Sequence, residues 1–177
     1  MTTARDHGRS GPAGLAITAV VGTLIGALLC CSGVARAETL YTLNGMPEFD
    51  RSAGAWVLCK YKYPNATVAF VEQTNIPAQS VSFDFSDASI ERKSTETAFE
   101  ASIRFCKVQD KALALMVPIL RDIEINKWGK KKTAEAPGIV LLHNGLLLSC
   151  TNETQVMKGH WLLLDAMYAY YQKLGGK

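Results

Sequence analysis

The chain has 177 residues, 48% of them hydrophobic and 20% charged, with a formal net charge of +3. That composition excludes a disordered chain and a multi-span membrane protein, and the length admits one domain or two small ones. Residues 38–177 carry 16 Lys and Arg against 15 Asp and Glu, so bulk charge does not steer this part toward nucleic acid or an anionic membrane.

The amino terminus reads as an address. Arg5 and Arg9 precede an uncharged run from Leu15 to Val34, and Ala35-Arg36-Ala37 follows it. This is the basic region, apolar region and small-residue cleavage site of a secretory signal peptide. Cleavage after Ala37 is expected, leaving residues 38–177 as a single exported domain, periplasmic or extracellular. The alternative is a membrane anchor formed by residues 15–34, since about 20 apolar residues span a bilayer. Past Ala37 three cysteines remain, Cys59, Cys106 and Cys150. In an oxidising compartment two can form a disulfide and leave one free thiol, and all three pairings stay open.

The predicted elements follow in chain order. Thr39–Leu43 is a short strand. Ala55–Tyr63 alternates, with Val57, Cys59, Tyr61 and Tyr63 on one face, and reads as a second strand. Pro64-Asn65 breaks it, and the β-branched run Thr67–Glu72 returns as the other half of a hairpin. Val81, Phe83 and Phe85 alternate as a third strand. Phe99, Ala101, Ile103 and Phe105 repeat every second residue, which predicts a strand over Thr97–Val108; a helix capped by Ser94 or Thr95 is the alternative.

Asp110 caps a helix running from Ala112 to Ile123, which Pro118 kinks or restarts and Gly129 stops. Ile139–Cys150 holds Asn144-Gly145 between two apolar runs, the pattern of a type I′ hairpin. Asn152 or Thr154 caps a last helix over Gln155–Leu174, whose wide apolar stripe suits packing on a sheet. The order predicts an α+β domain with a mainly antiparallel sheet: about four strands, a helix, a β-hairpin and a C-terminal helix.

Chemical motifs are sparse. His143 and His160 are the two histidines after Ala37, too few for a three-histidine metal site and without spaced Cys or acidic partners. No metal and no cofactor are expected. No G-x-S-x-G elbow and no glycine-rich phosphate loop occur. The acidic residues, Asp84 and Glu124 among them, read as surface charge. The most distinctive polar feature is Lys127-Trp128-Gly129-Lys130-Lys131-Lys132. Lys127, Trp128, Lys130, Lys131 and Lys132 are the candidate binding residues, against the alternative of a basic helix end that complements the carbonyl dipole with Trp128 tucked into the core.

Ala136-Pro137-Gly138-Ile139-Val140-Leu141-Leu142-His143-Asn144-Gly145 resembles the proline–strand–turn segment of the thioredoxin fold. The resemblance covers roughly the last 40 residues and implies that Pro137 matches that fold's cis proline. The chain departs from the pattern in lacking a CxxC motif, and its upstream strands read as a meander. The leading expectation is a non-catalytic exported binding protein, such as an inhibitor, an immunity protein or an envelope-assembly accessory factor. The alternative is a degenerate thioredoxin-fold thiol protein lacking CxxC. The expected partner is another protein or an envelope component, not nucleic acid, with a membrane engaged only through an uncleaved N-terminal segment. Oligomeric state stays open.

Overall fold

The computed structural model describes residues 38–175. The apolar run at residues 15–34 and the cleavage site at Ala37 lie outside them. Three strands, β1 (Thr39–Leu43), β2 (Thr67–Val71) and β3 (Val81–Ser82), form a sheet in the order β2-β1-β3. Both pairings are parallel. Five helices complete the described residues: α1 (Phe49–Tyr61), α2 (Ala98–Cys106), α3 (Lys111–Glu124), α4 (Ala136–Ser149) and α5 (Glu153–Gly175).

This overturns the mainly antiparallel sheet. Strands β1 and β2 are where the sequence placed them, but they run parallel because a whole helix, α1, joins them, and parallel neighbours require such a crossover. The strand expected at Ala55–Tyr63 lies in α1, from Ala55 to Tyr61, with Lys62 and Tyr63 just beyond. This helix is buried almost all round: Phe49, Asp50 and every residue from Ser52 to Leu58 are buried. A helix covered on every side has no polar face, so its sequence lacks the 3.6-residue period.

The strand expected over Thr97–Val108 is helix α2. Thr97 and Glu100 close a reciprocal capping box at its start, Thr97 Oγ1 accepting from Glu100 N–H and Glu100 accepting from Thr97 N–H. The buried Asp50 carboxylate accepts from the Ala98 and Phe99 N–H groups at 2.6 and 3.1 Å, satisfying two more free donors of that helix end. Those caps outweigh the alternating pattern of Phe99 to Phe105.

The hairpin around Asn144-Gly145 is helix α4. Pro137 stands in its first turn, where a missing N–H is tolerated. A run that is apolar on every face fits a buried hairpin and a helix equally well by pattern. The segment that carried the thioredoxin resemblance is therefore helical, and the likeness to a proline–strand–turn unit ends there.

Helices α3 and α5 lie as expected. Asp110 caps α3, accepting from Ala112 and Leu113 N–H, and Asn152 accepts from Gln155 N–H at the start of α5. The core joins α1, α2, α3 and α5 through Phe49, Phe99, Met116, Leu120 and Leu164. At one end Asp110 also accepts from the Tyr61 and Tyr168 hydroxyls, at 2.9 and 2.7 Å, tying α1, α3 and α5 together. A second apolar cluster, with Leu40, Leu58, Phe83 and Ile90, fastens the sheet to α1. No described helix is long and apolar enough to cross a membrane.

Candidate functional site

A polar cluster lies at the N-terminal end of α1, where Glu48, Asp50, Arg51 and Ser52 fall on its first turn and a half. A buried helix start with four polar residues must find each of them a partner. Arg51 Nε meets Asp84 Oδ2 at 2.9 Å. Arg92, from the segment before α2, reaches three carboxylates: Glu124 at 2.9 Å, Asp84 at 3.3 Å and Asp50 at 3.5 Å. Asp84 holds a φ of +62°, a backbone state uncommon for a residue with a Cβ. Its Oδ1 is buried and ion-paired to Arg92 without hydrogen-bond alignment.

Burial pushes the Asp50 carboxyl up to about 7, against the pull of the two helix N–H groups, and the charges of Asp84 and Glu124 add to the rise. Burial works downward on Arg92, but Asp84, Glu124 and Asp50 outweigh it and hold the guanidinium charged. Glu48 is held below its usual range. Burial opposes this, and Lys127 at 2.6 Å, with Arg51 and Arg92 behind it, prevails.

Beside this web runs a second polar line. His160 on α5 is fully buried, with Nδ1 at 2.8 Å from Ser52 Oγ and Nε2 at 3.0 Å from His143 Nδ1 on α4. Phe49 packs edge-on to the His160 ring at 5.1 Å. Burial, and secondarily the neighbouring His143, lowers His160 to about 3. His143 is also shifted down, mainly by burial. Both rings are neutral at pH 7, so each carries one N–H.

Among the described residues, the Ser52 hydroxyl has one hydrogen-bond partner, the His160 ring. Its proton goes to His160 Nδ1, since a buried hydroxyl left without an acceptor costs free energy. His160 then donates from Nε2 to His143 Nδ1, and His143 keeps its proton on Nε2. The tautomers follow from the hydrogen-bond network.

His143 lines a cleft of about 280 Å³ between the start of α1, the end of α3 and α4. Glu48, Glu124, Lys127, Trp128 and Asn144 line it with His143. Each carboxylate is matched to a cation, Glu48 to Lys127 and Glu124 to Arg92. The cleft is thus near neutral and presents donors: the histidine N–H, the Asn144 amide and the Lys127 ammonium. Among the described residues no group of three or more His, Cys, Asp and Glu side chains is placed to hold a metal ion.

Residues 43–171 match the protein family described as ChrB, C-terminal domain. The chain belongs to this family. The matched stretch contains every residue of the cluster described above, from Glu48 through Arg92 and Glu124 to His160. No curated protein and no solved structure matches the chain.

The basic cluster singled out by sequence is divided by the ChrB C-terminal fold. Lys127 pairs with Glu48 in the cleft. Lys131 Nζ donates to the carbonyls of Asp122, Asn126 and Lys127, closing the end of α3. Lys130 and Lys132 face water. Trp128 is not tucked into the core but 94% exposed. Asp122 organises this loop, accepting from Asn126, from the Lys132 and Thr133 N–H groups and from the Thr133 hydroxyl.

The three cysteines are free thiols and half-buried. Burial pushes Cys59 up to about 11 and raises Cys106, which disfavours the reactive thiolate. Cys150 lies seven residues from His143, about 10 Å along a helix, out of reach for a thiol–imidazole pair.

Sequence reasoning named the two histidines but did not join them, since their meeting depends on α4 and α5 folding back as a helical pair. It missed Glu48, Asp50, Arg51 and Arg92. The signal was present in Glu48-Phe49-Asp50-Arg51-Ser52, a polar run entering an otherwise apolar segment.

Proposed function

We propose that this protein is an exported, non-catalytic binding protein of chromate resistance, and that the cleft beside His143 receives a small oxyanion such as chromate. The observation that carries the reading is membership of the ChrB C-terminal family, which is tied to chromate resistance. The chemistry of the cleft supports it. Neutral His143 offers Nε2–H, held in place by His160 and Ser52, and a buried orienting partner of this kind fixes a ring's tautomer and direction. Lys127, which lines the same cleft, adds a positive charge for an anion to meet. Export is supported by Arg5, Arg9, the run Leu15–Val34 and Ala35-Arg36-Ala37.

The test is survival. Expression in a chromate-sensitive bacterium is expected to raise tolerated chromate, and His143→Ala to remove the gain at equal protein level. No gain from the unaltered chain contradicts the reading. Intact mass of the exported protein checks the address: a chain beginning at Glu38 supports export with cleavage, and a full-length mass in the cell envelope supports the anchor.

A further inference from the structure

Helix α4 is apolar along its length but covered on one side only. Ala136 and Ile139 are buried, and Val140, His143, Leu146 and Leu147 are half-buried. The opposite face carries Gly138, Leu141, Leu142, Gly145 and Leu148, at positions i, i+3, i+4, i+7 and i+10 of one stripe. Leu141 is 72% exposed, Leu142 50% and Leu148 90%. No Asp, Glu, Lys or Arg falls between Ala136 and Ser149. A Cβ added at Gly138 or Gly145 would meet nothing within 4 Å, so both glycines are open hollows between leucines. Glycine weakens a helix, and a closely packed neighbour gives it a purpose here.

We infer that this face is a contact between two copies of the chain, with α4 packed antiparallel against its counterpart about a two-fold axis level with His143. The residue pattern sets that register. The axis pairs positions equally far before and after residue 143. Leu148 of one copy then faces Gly138 of the other, Leu141 faces Gly145, and Leu142 lies beside its own counterpart near the axis. The two glycines take the two most exposed leucines, and every contact occurs twice, as a self-complementary interface requires. A stripe without charged side chains also brings no like charges together.

The three leucines expose on the order of 300 Å² per copy, the lower end of the largest apolar patch on a typical monomer, a patch that is often functional. Leu162, 71% exposed, stands about one turn beyond Gly159, where α5 meets Leu146 of α4, and adds to it. Along the roughly 21 Å of α4, this stays below the about 800 Å² per partner of a standard interface and matches the smaller contacts of weak, reversible pairs.

Sedimentation velocity of the full chain at micromolar concentration tests the inference. Twice the chain mass is expected. Leu148→Gly and Gly138→Leu should each weaken the dimer by at least about tenfold, with far-ultraviolet circular dichroism changed by no more than fraying of the last turn of α4 in Leu148→Gly. The double variant exchanges knob and hollow and should restore the dimer. A monomeric unaltered chain, or a dimer indifferent to all three variants, overturns the inference. So does binding to phosphatidylglycerol vesicles through Leu141 and Leu148 without self-association, which assigns the face to a bilayer.

Discussion

Asp50 and His160 lie close to Ser52, one beneath the charged web and one beneath the cleft, and their titrations oppose each other. Asp50 has a folded value of about 7 against an ordinary 3.8, and His160 one of about 3 against 6.5. Between about pH 4 and 6.5 the folded chain holds the Asp50 proton that the unfolded chain has lost. Asp50 alone therefore makes stability fall as pH rises through this window. His160 does the reverse: the unfolded chain binds a proton the folded one refuses, so its contribution is present above about 6.5 and lost as pH falls toward 3. One proton on each side nearly cancels, with His143 adding to the acid-labile side.

Removing one partner exposes the other. Asp50→Asn should lose about a factor of ten in the folding constant per pH unit on acidification below 6.5, and His160→Gln should gain about as much. Urea midpoints across that range check both slopes. Parallel pH profiles for the two variants would refute the assignment. At the cleft mouth, Glu48 competes with any anion for Lys127, so Glu48→Gln should tighten oxyanion binding about three- to tenfold, the scale of one partly exposed ion pair.

At the scale of elements, α1 and α2 are the pair that builds the site, and their approach depends on Gly54. A Cβ there would stand 3.0 Å from the Ala98 carbonyl oxygen and 3.1 Å from Ser102 Oγ. Gly54→Val should cost about 1–3 kcal/mol through forced separation of the helices. Thr97→Ala should cost about 1 kcal/mol through the lost cap of α2. Thermal melts check both, and equal melting temperatures for all three proteins would contradict the packing described. These helices are also where the sequence misleads. Helix α3 was legible because Asp110 caps it and one face meets water, so the apolar residues recur at three and four. Helix α1 has no face in water, and α2 is only nine residues long, too short for its period to stand against the alternation of Phe99, Ala101, Ile103 and Phe105. In α4 the Asn144-Gly145 pair, a strong turn signal between apolar runs, lies on the exposed side of a helix.

At the scale of the molecule, the sheet is small and the helices carry the core. Leu120, fully buried among α1, α2, α3 and α5, should cost about 2–5 kcal/mol on change to Ala. The site forms where the starts of α1 and α2, the end of α3, and the facing sides of α4 and α5 converge. Its members are scattered from Glu48 to His160, and no local motif spans that distance. Beforehand the two histidines were named but not joined and the basic run at Lys127–Lys132 stood out, and the fold spends Lys131 on closing α3 while leaving Lys127 in the cleft.

The central claim is that this cleft holds a small oxyanion through His143 and Lys127. Calorimetric titration of the protein with chromate tests it most directly. The account predicts saturable binding at one site per chain, weakened at least about tenfold by His143→Ala and strengthened by Glu48→Gln. Absence of saturable heat, or the same affinity in all three proteins, would contradict it.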